Sequence, residues 1–410
     1  MKNNVVLIFI LLLFSVLSSC KKDNNSFTSY GYDIGSRGQI ISYELIETLD
    51  TATLSTRLNS LGAGLSSLIH LNYTISAYRV EYKSLNVFDD TVKASGVIIF
   101  PHLPNNKVAL SSFQHGTALK KTNVSSLHPG QEYLVNAVLA AEGGILCCMP
   151  DYLGMGTGDG LHKYLNPTEE SNSVIDILRA ARYLNADLHH TQLNGQVFIF
   201  GYSQGGHATL AAQRDIETKY NREFTLTASA PMAGPYCLSR TSQFDVMIDS
   251  VYYPNPFYLP YIAVSVYEAT RGMVAYSTIF KKPYDSLIPA IINGQYSESY
   301  ANARFPYYIS NIVKDSVKNS ARNNPNDLIR STLRTYDLID DWTPHVPTRF
   351  YHCEGDDNVF YDNATCAVNT FLSRGGNVEL ANMGPSNHTD CAPPTFILAR
   401  TWIYELKRID

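Results

Sequence analysis

The chain has 410 residues, of which 45% are hydrophobic and 17% are charged, so it can bury a large core and is neither disordered nor fibrous. Its 32 lysines and arginines against 37 aspartates and glutamates give a net charge of -5, and no dense basic run is present, so nucleic acid is not an expected partner. After residue 20, no apolar run approaches the roughly 18 residues that span a bilayer.

The first twenty residues have the pattern of an export signal. Lys2 precedes a 13-residue apolar run over residues 5–17, which is too short to span a bilayer. This pattern predicts a secretory signal peptide over residues 1–19. The run ends at Leu17-Ser18-Ser19-Cys20, which resembles a bacterial lipobox, the motif in which the cysteine is acylated and becomes the new N-terminus.

The lipobox resemblance implies a lipid anchor on Cys20 and a polar tether over residues 20–42. We therefore expect an exported bacterial lipoprotein on the outer membrane, at its periplasmic or its cell-surface face. An ordinary signal peptide followed by a free cysteine is the alternative.

Strand-like and helix-like patterns alternate along the rest of the chain. An N-terminal helix is predicted over residues 43–61, and helical spacing recurs at 132–141, 173–184, 208–220, 363–372 and 396–406. Strand-like runs occur at 78–82, 93–100, 108–113, 145–149, 197–200, 226–230, 349–352 and 378–381. This alternation predicts an α/β fold with a mostly parallel eight-stranded sheet that helices cover on both faces.

A long insertion separates the sixth predicted strand from the seventh. It covers residues 238–345, far more than an ordinary connection, and it holds 12 of the 28 tyrosines. Because tyrosine combines a large apolar ring with a polar tip, these residues suit a cap over a pocket. They could equally pack the insertion against the sheet. The core is then predicted in two parts, residues 43–237 and 346–410.

One segment has the pattern of a serine nucleophile on a strand-to-helix turn. The strand-like residues 197–200 run into Gly201-x-Ser203-x-Gly205 and then into a predicted helix. A serine on so sharp a turn has a strained backbone, and side chains two positions away on either side would clash, so both positions require glycine. The arrangement resembles the nucleophile elbow of the α/β-hydrolase superfamily, with Ser203 as the nucleophile.

In this superfamily an acid follows a later strand and a histidine lies near the C-terminus. Residues 352–359 read His-Cys-Glu-Gly-Asp-Asp-Asn-Val and resemble the His-Gly-x-x-Asp-x-x-Val acid loop. The spacing selects Asp356 as the acid, with Asp357 as the second choice. His388, the last of eleven histidines, follows the last predicted strand and is the candidate base.

An acyl-transfer intermediate also needs two backbone N–H groups that bind its oxyanion. One is predicted to be the N–H of Gln204, the residue after the nucleophile. Residues 113–117, Phe-Gln-His-Gly-Thr, resemble the His-Gly oxyanion segment of the superfamily. The resemblance implies Thr117 as the second donor, with Gly116 as the alternative.

Further segments resemble the secretory lipase family, which is known from fungi. They are residues 150–158, 162–165, 179–182, 201–206 and 233–236. The family's His-Pro-Tyr is replaced here by His162-Lys163-Tyr164. The resemblance implies a cap over the active site and hydrolysis of carboxylic esters, such as a lipid or an acylated glycan. This chemistry requires no metal and no organic cofactor.

Two other interpretations stay open. The same fold and triad occur in serine peptidases, although a charged group that would capture a peptide terminus cannot be identified in the sequence. A surface lipoprotein that binds glycans or lipids without catalysis is the other alternative. Covalent labelling of Ser203 by a fluorophosphonate would separate an enzyme from a binding protein.

Apart from Cys20, the chain has six cysteines, at 147, 148, 237, 353, 366 and 391. Cys147, Cys148 and Cys353 lie in apolar runs and are expected to be buried thiols. Cys366 and Cys391 have polar surroundings and are the one predicted disulfide. Since neither a Cys-x-x-Cys pair nor a histidine cluster is present, no zinc site is predicted.

Overall fold

The computed structural model describes residues 35–61, 69–103, 107–188 and 190–408. The predicted signal peptide, Cys20 and most of the predicted tether lie outside these residues. In the described ranges, no helix has both the length and the apolar character needed to cross a membrane.

A nine-stranded sheet forms the centre of the fold, in the strand order β1-β2-β3-β5-β4-β6-β7-β8-β9. The strands are β1 (Ile40–Leu49), β2 (Ile75–Leu85), β3 (Thr91–Pro101), β4 (Lys107–Gln114), β5 (Leu146–Pro150), β6 (Gln192–Tyr202), β7 (Thr225–Met232), β8 (Thr348–His352) and β9 (Val378–Asn382). The pairs β1–β2, β2–β3 and β3–β5 are antiparallel, and the other five pairs are parallel. The predicted α/β fold with a mostly parallel sheet is confirmed, with nine strands instead of eight.

The additional strand is β1, where the sequence predicted a helix over residues 43–61. Residues 40–49 instead pair with β2 at the sheet edge, and only residues 51–61 are helical. Asp50 ends the strand and accepts a hydrogen bond from the Thr53 N–H at 2.7 Å. Because one side of an edge strand faces solvent, Ile41 and Leu45 are exposed, and the alternation that marks a half-buried strand is weak.

Helices cover both faces of the sheet, because the central strands bury side chains on both sides. In β3, Val97 and Ile99 join one apolar cluster, and Ile98 and Phe100 join another. The first face carries α1 (Thr51–Leu61), α2 (Gln131–Gly143) and α13 (His388–Leu406), and the second carries α3 (Pro167–Leu188), α4 (Gln204–Lys219) and α12 (Asp362–Ser373).

The insertion lies between β7 and β8, and we call residues 238–345 the cap. Its helices are α5 (Ser242–Ile248), α6 (Tyr258–Ala269), α7 (Tyr276–Ile279), α8 (Tyr284–Ile291), α9 (Glu298–Asn302), a 3-10 helix (Ile309–Ile312), α10 (Asp315–Asn323) and α11 (Leu328–Arg334). The cap has an apolar cluster of its own, which includes Phe244, Val264 and Ile288. It is therefore a packed subregion rather than a long loop.

Two disulfides replace the one predicted between Cys366 and Cys391, and that prediction is wrong. Cys366 pairs with Cys237, and Cys391 pairs with Cys353. The apolar run around Cys353 suggested a buried thiol, but the first turn of α13 brings Cys391 against the end of β8. Cys147 and Cys148 are buried free thiols, as expected.

Candidate active site

Ser203 lies at the turn between β6 and α4, with its backbone in a strained conformation. Its φ of 61° and ψ of -121° are rare for a residue other than glycine. A Cβ at Gly205 would lie 1.9 Å from the Gln114 carbonyl oxygen, and one at Gly201 would lie 2.5 Å from the Gly205 oxygen. Glycine is therefore required at both positions, and the turn presents the Ser203 hydroxyl at the end of the sheet.

His388 is the first residue of α13 and lies beside Ser203. Its Nε2 is 2.8 Å from the Ser203 Oγ, although the two residues are 185 positions apart. The Tyr202 hydroxyl donates to the His388 carbonyl oxygen at 2.6 Å, which ties the histidine to the end of β6. The structure thus brings the predicted nucleophile and the predicted base into hydrogen-bond contact.

Asp356 contacts the other ring nitrogen of His388, with 2.6 Å between its Oδ2 and Nδ1. Its Oδ1 accepts the N–H groups of Asn358 and Val359 at 3.0 and 2.8 Å. Burial by itself would raise the pKa of Asp356, but hydrogen bonds from His352 and His388 lower that pKa to about 2. The carboxylate is therefore ionised at neutral pH.

Asp357, the second choice for the acid, does not contact the imidazole ring. Its Oδ1 instead accepts the backbone N–H of His388 at 3.2 Å and the side-chain amide of Asn358 at 3.1 Å. The two neighbouring carboxylates thus hold different parts of the same histidine.

His352 is a further residue of the site to which the sequence assigned no role. Its Nε2 lies 3.1 Å from the Asp356 Oδ2 and 2.8 Å from the Val359 carbonyl oxygen. Since a carbonyl oxygen can only accept, Nε2 carries the proton, and Nδ1 has no hydrogen-bond partner among the described residues. The ring holds Asp356 through the same carboxylate oxygen that His388 contacts. The acid-loop motif contained this histidine, but only the fold shows its contact.

The two predicted oxyanion donors lie on the first turn of α4 and on the loop after β4. Gln204 is the first residue of α4, where backbone N–H groups have no partner within the helix. The Gly116 N–H donates to Glu132 Oε1 at 2.9 Å and is therefore occupied. Within the described ranges no hydrogen bond uses the Thr117 N–H. Of the two predicted alternatives, Thr117 is the one left free.

A buried polar network holds the side chain of Gln204. The Gln204 amide donates to Glu170 Oε1 at 2.9 Å and to His162 Nε2 at 2.7 Å. Burial lowers the pKa of His162 to about 3, which keeps this ring neutral and able to accept. The second oxygen of Glu170 lies 2.6 Å from His207 Nδ1. These contacts anchor the residue that follows the nucleophile.

Among the hydrogen bonds that connect the loop after β4 to neighbouring elements, four bear on the position of Thr117, and three of these four reach the cap. The Leu119 N–H donates to Glu298 Oε1, and the Lys121 N–H donates to the Gly294 carbonyl oxygen, both at 2.8 Å. The Tyr261 hydroxyl donates to the Ala118 carbonyl oxygen at 3.1 Å. The fourth joins the Thr117 hydroxyl to the Tyr164 hydroxyl at 3.1 Å. No role for Glu298 was predicted from the sequence, and Tyr261 was predicted only as one of the cap tyrosines, because both lie far from this loop along the chain.

Comparisons with known proteins agree with this architecture. The secretory lipase family model matches residues 120–245, the segment that contains Ser203. No curated protein sequence matches the chain.

Several solved structures share the fold. A hydrolase from Legionella pneumophila is 24% identical with a TM-score of 0.81, over 90% of this chain and 98% of that one. The rice cell wall degrading esterase LipA from Xanthomonas oryzae is 25% identical with a TM-score of 0.77, over 90% and 97%. Candida antarctica lipase A is 17% identical with a TM-score of 0.63, over 86% and 78%. This chain therefore has the α/β-hydrolase fold and resembles the secretory lipases over residues 120–245, the segment that contains Ser203.

Proposed function

We propose that this chain is a serine ester hydrolase in which Ser203, His388 and Asp356 act as a catalytic triad. The observation that carries the proposal is the continuous hydrogen-bonded line from Ser203 Oγ through both nitrogens of His388 to Asp356, at 2.8 and 2.6 Å. The chain is a carboxylic ester hydrolase, in agreement with its match to the secretory lipases and with its esterase and lipase neighbours.

Acylation begins when His388 Nε2 takes the Ser203 proton and Oγ attacks the ester carbonyl. The positive charge that forms on the imidazole faces Asp356, whose lowered pKa keeps it ionised. Asp356 also fixes the ring so that the proton stays on Nδ1 and Nε2 faces the serine. His388 then donates its new proton to the leaving alkoxide, and an acyl group remains on Ser203.

The oxyanion of the tetrahedral intermediate is bound by the N–H groups of Gln204 and Thr117. Gln204 also begins α4, whose N-terminus favours negative charge. Water then attacks the acyl group by the same route, with His388 as the base, and releases the carboxylic acid.

An ester substrate is favoured over a peptide by the cavity beside Ser203. A peptidase that captures a chain terminus needs a charged side chain near the nucleophile, and in the described part of the chain every side chain that lines this cavity is uncharged. The buried tyrosine, leucine and methionine side chains suit an uncharged acyl group. The N-terminal pattern that includes Cys20 supports export and anchoring as a lipoprotein.

The test compares the purified protein with Ser203→Ala on p-nitrophenyl butyrate and with a fluorophosphonate probe. Because the triad acts as a unit, Ser203→Ala should lower kcat by about 10⁴–10⁶-fold and abolish labelling. Ser373→Ala, at an exposed serine on α12, is the matched control and should change neither. Unchanged turnover or unchanged labelling in Ser203→Ala would refute the assignment.

A further inference from the structure

A small cavity lies directly beside Ser203, between the core and the cap. Its volume is about 40 Å³. Ser203, Gln204 and Pro235 line its core side, and Leu238, Met247 and Ile262 are among the side chains that line its cap side. Because the nucleophile lies in its wall, one part of a bound ester has to occupy this space.

The positions of the other catalytic groups indicate which part of the ester that is. The leaving alkoxide must lie next to His388 Nε2, which donates a proton to it, and the carbonyl oxygen must face the N–H of Thr117. Neither His388 nor Thr117 lines the cavity in the described ranges. The cavity is therefore on the acyl side of the scissile bond, and the alcohol leaves in another direction.

The volume limits the length of the acyl chain. A single water needs about 10–15 Å³, and a cavity of about 150 Å³ holds a benzene ring. A space of about 40 Å³ has room for a tail of about three heavy atoms at most. From this we propose that the enzyme is selective for short, uncharged acyl groups of about two to four carbons. The inference rests on the proposed ester hydrolysis and specifies its substrate class.

Hydrogen bonds and ring contacts fix the walls, so the cavity does not enlarge easily. The Tyr253 hydroxyl donates to the Asn358 carbonyl at 2.7 Å and accepts from the Gln243 side chain at 3.0 Å. The Tyr164 ring stacks on the Tyr261 ring with 4.4 Å between their centroids. To fit a longer chain inside the cavity, these buried rings would have to move together, which well-packed interiors resist, and methylene groups left outside the cavity gain no burial from it.

The chemistry of the walls also disfavours a charged acyl group. Burial raises the pKa of Tyr258 to about 12 and holds the pKa of Tyr253 well above its usual range, so both hydroxyls are neutral. Since no cationic side chain lines the cavity in the described part of the chain, a carboxylate on the acyl group would be buried without a partner. Acetyl, propionyl and butyryl esters satisfy both the size and the charge of the site.

The experiment measures kcat/KM of the purified protein on p-nitrophenyl esters from acetate to laurate. We expect the maximum between acetate and butyrate and a loss of at least tenfold by octanoate. Met247→Ala should enlarge the cavity and raise the hexanoate-to-acetate ratio of kcat/KM about tenfold. Met273→Ala removes the same atoms from an 84% exposed position on the cap and should leave this ratio unchanged.

The ratio of kcat/KM between two esters, measured on one preparation, does not depend on the fraction of folded protein. A destabilised variant therefore still gives an answer. A maximum at octanoate or longer, or equal rates along the series, overturns the inference. So does an unchanged hexanoate-to-acetate ratio in Met247→Ala, because the cavity wall would then not set the limit. If no ester is hydrolysed and the fluorophosphonate does not label Ser203, the proposed function itself fails.

Discussion

Ser203, Asp356 and His388 follow the carboxyl ends of β6, β8 and β9, whereas much of the surface that shapes the cavity beside Ser203 belongs to the cap. The first group is positioned by a parallel sheet, whose strand ends meet at one edge. The second depends on helices that pack in their own apolar cluster. Under the proposed function, the core places the reacting groups, and the cap shapes the cavity that selects the acyl group.

After the loss of Ser203 itself, the largest effect that this division of roles predicts is a loss of the core acid. Asp356→Asn keeps the shape of the side chain but removes the charge that faces His388 and the preference for the correct tautomer. We expect kcat to fall about 10³–10⁴-fold, measured on p-nitrophenyl butyrate.

Asp357→Asn is the matched control, because it removes a neighbouring carboxylate whose hydrogen bonds in the described part of the chain go to the backbone of His388 and the Asn358 amide. Its kcat should fall less than tenfold. Equal losses in the two variants would contradict the assignment of Asp356 as the acid.

The core half of the site could be predicted because its signals are local. The glycines around Ser203 are required by contacts that any sharp strand-to-helix turn makes, so Gly-x-Ser-x-Gly after an apolar strand identifies the turn. The spacing within the acid-loop motif selected Asp356, with Asp357 as the second choice, before any geometry was known. Parallel strands buried on both faces also give apolar runs that are easy to recognise.

The rest depends on contacts between distant parts of the chain. Glu298 contacts Leu119 across 179 positions, and nothing around either residue indicates the other. The predicted cysteine pairing was wrong for the same reason, since the polar surroundings of a cysteine do not show which other segment of the chain the fold brings next to it. The edge strand β1 was mistaken for a helix because pairing with β2, rather than its own pattern, determines its conformation.

The two disulfides provide a second test of the comparison. Cys353 lies three residues before Asp356 and Cys391 three residues after His388, so their disulfide joins the acid loop to the helix that begins with the base. Cys237–Cys366 joins the start of the cap to α12 instead. Replacing both cysteines of either pair by serine should lower the free energy of unfolding by about 2–4 kcal/mol, measured by urea denaturation.

The effects on turnover should differ between the two pairs. Loss of Cys353–Cys391 should lower kcat several-fold, because a small shift between Asp356 and His388 weakens proton transfer. Loss of Cys237–Cys366 should leave kcat within about twofold where the protein is folded. A larger kcat loss in the second variant would show that the cap, rather than the core, controls the reacting groups.

The smallest expected effect concerns Glu298, where the division between core and cap is least clear. Glu298 belongs to the cap, yet its carboxylate accepts the Leu119 N–H two residues after Thr117. Glu298→Ala should free this loop and misplace the Thr117 N–H, which lowers kcat about two- to threefold while KM changes little, since the cavity walls are intact. Glu298→Gln retains an oxygen acceptor and should restore most of the activity. A rise in KM with unchanged kcat would instead assign Glu298 to substrate binding, and the cap would then contribute only to selectivity.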